Sequence, residues 1–138
     1  MKLYFDRSIG KAVPLALRAV GVDVAFDAER YPQASGVAPT ADDVWIEGAS
    51  RRGELIVYKD KRIRYRPEER AAFARAGARM FLLGGNLSRF EMLRLLLVAW
   101  PEMDRLAVTE APPFIFRIGS RGELSRVFPV PTVPSGTR

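Results

Sequence analysis

The chain has 138 residues, 48% of them apolar and 28% charged, which fits one soluble domain with a buried core. It contains no cysteine and no histidine, so disulfides, thiolate or imidazole metal sites and catalytic systems built on Cys or His are excluded. The 22 basic and 16 acidic residues give a net charge of +6, which modestly favours a polyanionic partner.

The sequence also carries an expectation about location. No apolar run approaches the roughly 18 to 20 residues that span a bilayer. The N-terminus enters a predicted strand at once, without the basic region and cleavage site of a signal peptide. We therefore expect a cytoplasmic protein that does not enter a membrane.

The first quarter of the chain predicts a strand, a helix and a second strand. Residues 2–5 form the first strand, and residues 22–26 form the second. Between them an apolar series at helical spacing predicts a helix that ends at Gly21 and, because of Pro14, starts late or kinks. That series is Ile9, Val13, Leu17 and Val20. Residues 27–39, with two prolines and a glycine, are predicted as a loop.

The middle of the chain continues the alternation. Thr40 is predicted as the N-cap of a helix that runs to about Arg52. Residues 55–58 are a short apolar run typical of a buried strand. Pro67 then suits the first turn of a helix that Gly77 closes.

The last third predicts one more strand and helix, and then a hairpin. Residues 79–83 form the strand, and Ser88 with Glu91 forms a capping box that opens a helix ending before Pro101. Two further apolar runs around a glycine-containing turn predict the hairpin. These runs are Phe114–Ile118 and Leu124–Phe128.

The order of these elements predicts the fold class. Alternating strands and helices are typical of an α/β protein with a mostly parallel central sheet covered on both faces. We expect one domain over residues 1–128, which ends in the C-terminal β-hairpin, and a proline-rich tail over residues 129–138.

Acidic residues follow two of the predicted strands and open one helix. Asp6 comes directly after the first strand, and Asp60 follows the strand 55–58 with Lys59 between. Asp42 and Asp43 lie in the first turn of the helix after Thr40. Loops at the carboxyl ends of parallel strands share a crevice, so these acids are expected to converge there. Carboxylates in such a crevice suit Mg²⁺ or Mn²⁺ and the hydrolysis of a phosphate ester.

Each acid also has a purely structural interpretation. Asp42 and Asp43 are placed to complement a helix dipole. Asp6 is able to start a turn through its side chain. Asp60 has basic neighbours with which to pair as a solvated loop charge. The spacing alone leaves the choice between a metal site and structural acids open.

The segment around Asp60 is strongly basic. Residues 59–66 read KDKRIRYR, five basic residues around one acid and one tyrosine. Cations that contact phosphates are the main source of affinity for nucleic acid, and an aromatic ring stacks on bases. Lys59, Lys61, Arg62, Arg64 and Tyr65 are therefore candidate RNA-binding residues. The alternative is an ordinary solvated charge run.

An ordered set of short segments resembles a known family. They are Phe5-Asp6-Arg7-Ser8, Thr40-Ala41-Asp42-Asp43-Val44-Trp45 with Ala49 and Gly53, the run from Lys59 to Glu69, Gly84-Gly85-Asn86-Leu87-Ser88, and Pro112-Pro113-Phe114-Ile115-Phe116-Arg117. Through them the chain is similar to the PIN-like domains of VapC-type toxins, the nuclease halves of toxin–antitoxin pairs.

The resemblance implies a three-layer α/β/α sandwich that cleaves RNA with Mg²⁺ or Mn²⁺. It also implies a cognate antitoxin protein and, often, a homodimer. The family's catalytic and metal-binding acids correspond to Asp6, Asp42 and Asp60, with Asp43 as the alternative to Asp42.

In one place the sequence departs from the family pattern. PIN domains commonly have a fourth acid after the next strand, where this chain has Gly84-Gly85-Asn86 and the nearest acid is Glu91. Asn86 is able to hold a water or a phosphate instead, and is a candidate RNA-binding residue. A second metal ion is therefore less strongly implied than the first.

Two alternative functions fit parts of the same pattern. A receiver-type phosphoacceptor domain also places acids after parallel strands, but it usually has paired acids after the first strand, and here Arg7 follows Asp6. A catalytically inactive nucleic-acid-binding or protein-binding module would keep the acids for structure alone.

Overall fold

The computed structural model describes residues 1–32, 41–59 and 67–130. In these ranges it has six strands, five α-helices and one short 3-10 helix, Arg7–Ile9. The strands are β1 (Lys2–Phe5), β2 (Asp23–Phe26), β3 (Leu55–Lys59), β4 (Arg79–Leu83), β5 (Phe114–Ile118) and β6 (Leu124–Phe128). The helices are α1 (Ala12–Ala19), α2 (Asp27–Arg30), α3 (Asp42–Arg51), α4 (Pro67–Ala76) and α5 (Arg89–Thr109). Most of the predicted tail, residues 131–138, lies outside the described residues.

All six strands form one sheet in the order β2-β1-β3-β4-β5-β6. The first five are parallel, and β6 pairs antiparallel with β5, so the predicted C-terminal hairpin is confirmed. The parallel strands direct the carboxyl ends of β1, β2 and β3 to the same edge of the sheet, as predicted.

Helices cover both faces of the sheet, which confirms the three-layer α/β/α arrangement. Side chains alternate along each strand, so Leu3 and Phe5 of β1 pack with α1 and α5, whereas Tyr4 packs on the opposite face with Trp45 of α3 and Phe73 of α4. Continuous apolar runs form the central strands because both of their faces are buried.

Two predictions about helix boundaries were wrong. The N-cap of α3 is Ala41 and not Thr40, which lies outside the described residues; extended Ala41 makes no side-chain cap bond, and its carbonyl accepts from the N–H groups of Val44 and Trp45. Residues 27–30, predicted as part of a loop, form the single helical turn α2. One turn is too short to produce an apolar period, so the sequence pattern gave no signal for it.

The third correction concerns Pro101, where the last helix was predicted to end. Ser88 caps α5 as predicted, with the capping box to Glu91, but the helix continues through Pro101 to Thr109. Pro101 lies on the exposed side of the helix, where water is able to bond the carbonyl that proline leaves unpaired. Burial of Met103 and Leu106 in the core beyond it stabilises the extension. No helix in the described ranges has the length and apolar character that crossing a bilayer requires.

Candidate metal and nucleic-acid site at the carboxyl edge of the sheet

Two aspartates lie side by side where β1 and β2 end. The parallel register pairs Phe5 with Phe26, and the next residue of each strand is Asp6 and Asp27. Neighbouring strands are about 4.8 Å apart, so the two carboxylates share one edge of the sheet. Asp6 is 5% exposed and Asp27 is 3% exposed. Burial of two like charges at adjacent positions is costly unless other groups compensate for it.

Backbone contacts fix the position of Asp6. Its N–H donates to the carbonyl of Val57 (3.1 Å), which extends the pairing of β1 with β3 by one residue. Its Oδ2 accepts from the N–H of Ser8 (2.9 Å), so the carboxylate caps the 3-10 helix. The Ser8 hydroxyl in turn accepts from the N–H of Lys59 (3.2 Å) at the end of β3. The turn after β1 is thereby tied to the point where the basic segment begins.

A hydrogen bond and a column of rings hold Asp27. The Tyr4 hydroxyl donates to Oδ1 of Asp27 (2.9 Å). The Tyr4 ring stacks on Trp45 of α3, with 5.8 Å between ring centroids, and Trp45 stacks on Tyr58 at 5.6 Å. Asp27 is thus connected through packed side chains to the face of the sheet that α3 covers.

A buried ion pair lies beneath this column. Arg30 donates from both terminal guanidinium nitrogens to Glu54 (2.5 and 2.7 Å), and the Glu54 side chain is 4% exposed. The guanidinium carbon of Arg30 also lies 5.0 Å from the centroid of the Tyr4 ring. The pair joins α2 to the start of β3 and therefore holds the segment that carries Asp27.

Their surroundings raise the pKa values of both Asp6 and Tyr4. Burial raises the pKa of Asp6, and the nearby charge of Asp27 acts in the same direction, while hydrogen bonds from Ser8 and from the Arg7 backbone act against it. Burial first, and then the hydrogen bond to Asp27, raise the pKa of Tyr4, which therefore remains a donor. A cation beside Asp6 would favour its ionised form.

The structure describes the side chain of only one of the two acids of α3, Asp43. Asp43 is exposed and lines a cleft of about 370 Å³ between α3 and α4, together with Glu47, Arg51 and Arg75. The side chain of Asp42 is outside the described part of the chain.

The remaining predicted residues divide into two groups. Lys59 is half-buried at the end of β3, close to Asp6 through Ser8, and Asn86 is exposed in the turn after β4. Asp60, Lys61, Arg62, Arg64 and Tyr65 all lie outside the described residues.

The sequence prediction overlooked Asp27, Tyr4 and Ser8. A signal for Asp27 was present, because it follows an apolar strand directly, as Asp6 does. It was assigned instead to the predicted loop over residues 27–39, because that segment contains two prolines and a glycine. Nothing in a single sequence indicates that Tyr4 and Asp27 meet, since 23 residues separate them along the chain.

The donor set at this edge is compatible with a hard divalent cation. Asp6 and Asp27 offer only oxygen ligands, the type that Mg²⁺ and Mn²⁺ prefer. Within the described ranges, no three carboxylates lie close enough together to form a complete cation site. Among the described residues, Asp6 and Asp27 therefore do not by themselves form a complete cation site.

Comparison with known proteins identifies the family. A family model described as a PIN-like domain matches residues 1–85, more than half of the chain. The matched part contains β1 to β4 and therefore the whole acidic edge, whereas α5 and the hairpin follow it. No curated protein and no solved structure matches the chain. The chain therefore belongs to the PIN-like domain family.

Proposed function

We propose that this protein is an endoribonuclease that depends on Mg²⁺ or Mn²⁺ and hydrolyses RNA phosphodiesters. PIN-like domains are commonly nuclease-related, and the chain is a member of that family. The observation that carries the proposal is the position of Asp6, buried and fixed beside a second buried acid at the edge where the parallel strands end. A bound cation stabilises the ionised form of a buried carboxylate more than that of an exposed carboxylate.

The acids have distinct roles in this proposal. Asp6, Asp42 and Asp60 hold the ion, with Asp43 as the alternative to Asp42. Asp27 adds negative charge beside Asp6 and is itself held by Tyr4. The ion, when bound, supplies Lewis-acid chemistry to a phosphodiester. The bond from Ser8 keeps the Asp6 carboxylate in place, so that little reorganisation is needed when the substrate arrives.

The basic segment after β3 is proposed to bind the RNA backbone. Lys59, Lys61, Arg62 and Arg64 would contact phosphates, Tyr65 would stack on a base, and Asn86 would hold a phosphate or a water. Lys59 supports this arrangement because its backbone bonds to Ser8 next to Asp6. Affinity for RNA should then fall steeply with salt. Affinity that changes little between low and moderate salt would argue against this surface.

We further propose that the enzyme is the toxin of a type II, VapBC-like toxin–antitoxin pair that acts in the cytoplasm. The support is the ordered resemblance from Asp6 through Glu69 together with the net charge of +6. A cognate antitoxin protein would silence the nuclease, in assemblies that include a possible homodimer. Growth arrest on expression, absent with Asp6→Asn, would support this role. Normal growth despite RNA cleavage in vitro would contradict it.

The test of the enzymatic proposal is cleavage of a mixed RNA pool by the purified chain with Mg²⁺, Mn²⁺ or EDTA. Asp6→Asn should abolish cutting. Asp23→Asn is the matched control, because it removes the same charge from an exposed position at the opposite end of β2. Cutting that ignores EDTA or survives Asp6→Asn would contradict the proposal.

The same assay separates the alternatives. A binding-only module would retain RNA affinity without any cutting. Membership of the PIN-like family argues against the phosphoacceptor alternative.

A further inference from the structure

An apolar groove runs between α1 and α5, on the face of the molecule away from α3. It consists of two adjoining cavities of about 190 and about 160 Å³ that share Phe90 and Leu93. Ala12 and Ala16 of α1 form one wall, and Leu97 of α5 extends the other. Both are open depressions in the surface, each of a volume that one large apolar side chain could occupy.

Large apolar side chains in the groove are exposed to solvent, which gives a monomer no stability. Phe90 is 67% exposed and Leu97 is 54% exposed, although both lie on a helix whose other side is fully packed in the core. Phe90 and Leu97 are seven residues apart, about 10 Å along the helix, which matches two turns of a docked helix. Clustered exposed apolar surface of this kind marks an interaction site.

Positive charges surround the groove. Arg89 and Arg94 border it on α5, and Lys11 directly precedes Ala12 on α1. Within the described ranges, none of these three cations has an ion-pair partner. The acid closest to them along α5, Glu91, is bound to Ser88 in the capping box. Three cations against this one carboxylate leave the rim with a net positive charge, which attracts negative charge.

From this combination we infer that the groove binds an amphipathic α-helix of a partner protein, with an apolar stripe flanked by Asp and Glu. Apolar anchors at helical spacing would fill the two cavities, and the acids would pair with Lys11, Arg89 and Arg94. This inference goes beyond the proposed nuclease activity and does not depend on it.

Charge argues against two other occupants of the groove. A second copy docked groove to groove would place the same three cations against one another. The chain's own segments outside the described ranges, 33–40, 60–66 and 131–138, contain one acid between them, Asp60. An anionic membrane would match the charge as well, so binding to anionic vesicles is one of the outcomes of the test that would overturn the inference.

The test is a display selection on the full chain with a library of helical peptides of about 14 residues. Each peptide carries apolar residues at helical spacing and randomised flanking positions. Enriched peptides should have acidic flanks, and Leu97→Glu should weaken their binding about tenfold or more. Val108→Glu, also exposed on α5 but outside the groove, is the matched control and should leave binding unchanged.

Charge reversal sharpens the test. Arg94→Glu should shift the selected flanks from acidic to basic, whereas Arg75→Glu, in the cleft between α3 and α4 on the opposite face, should not. Asp6→Asn should bind the same peptides, so failure of the nuclease proposal does not affect this result. Peptides that Leu97→Glu does not affect, or no enriched peptides, would overturn the inference. The inference would also be overturned if the chain bound no peptide but instead formed dimers, or bound anionic vesicles, in a way that Leu97→Glu abolishes.

Discussion

The two faces of the sheet bury different chemistry. Among the described residues, the face under α3 and α4 buries Tyr4, Asp27 and Glu54 with their hydrogen-bonding partners. The face under α1 and α5 buries aliphatic and phenylalanine side chains. One face of the sheet therefore includes a polar network that leads to the carboxyl edge, whereas the other face is packed with apolar side chains. Stability should depend on pH and buried charge on the first face, and on volume alone on the second.

The apolar face should show the largest loss from a single truncation. Phe81 is fully buried between Phe114 and Phe116, with ring centroids 5.8 and 6.4 Å away. Phe81→Ala should lower the free energy of unfolding by about 4 kcal/mol, equally at every pH, because it removes packing and no charge. Chemical denaturation measures this change. Phe90→Ala, at an exposed ring, should change it by less than about 0.5 kcal/mol.

The next largest loss of stability is expected when the Arg30–Glu54 ion pair is broken. Arg30→Met leaves the Glu54 carboxylate buried without its partner, so the free energy of unfolding should fall by about 3 kcal/mol. Arg51→Met is the control, since both side chains of the Arg51–Glu47 pair are mostly exposed and its loss should have a clearly smaller effect. Equal losses in the two variants would show that the buried pair has no special place in the polar network.

A smaller effect is expected at Tyr4. Tyr4→Phe keeps the ring in its stack but removes the donor to Asp27, which should lower the free energy of unfolding by about 2 kcal/mol. In a background with Asp27→Leu, which lacks the acceptor, the same substitution should have a clearly smaller effect. Additive losses in the double variant would contradict the importance of this hydrogen bond.

The smallest change in stability is expected at Asp6. Unlike the substitutions above, this one should stabilise the fold, and the gain should depend on pH. The folded state raises the pKa of Asp6, so the native state loses stability as pH rises from the ordinary carboxyl pKa through the raised folded pKa. Asp6→Asn should therefore raise Tm near neutral pH in EDTA, and the difference should vanish below the ordinary carboxyl range. Asp23→Asn should lack this pattern. A Tm gain that persists in strong acid would show that burial of the charge is not its cause.

The sequence predicted local elements well where one local signal was sufficient. The apolar runs of β1, β3 and β4 and the Ser88 capping box are such signals, and all four were confirmed. The continuation of α5 through Pro101 was missed because burial of Met103 and Leu106 outweighs the lost hydrogen bond. Local propensity contains no information about that tertiary contact.

The site was predictable only in part, for the same reason. Asp6 was identified because a strand precedes it, and the same rule applied to residues 22–26 would have identified Asp27. Whether these two acids are neighbours depends on the strand order, in which β2 flanks β1. Strand order is set by non-local packing, which no motif in the chain encodes.

The most direct test of the central claim is an anomalous difference map from crystals of the chain grown with Mn²⁺. The account predicts a manganese peak at the carboxyl edge of the sheet, with the Asp6 carboxylate among its ligands, that disappears in Asp6→Asn. Well-diffracting crystals without a peak at Asp6, or with manganese bound only elsewhere, would contradict it.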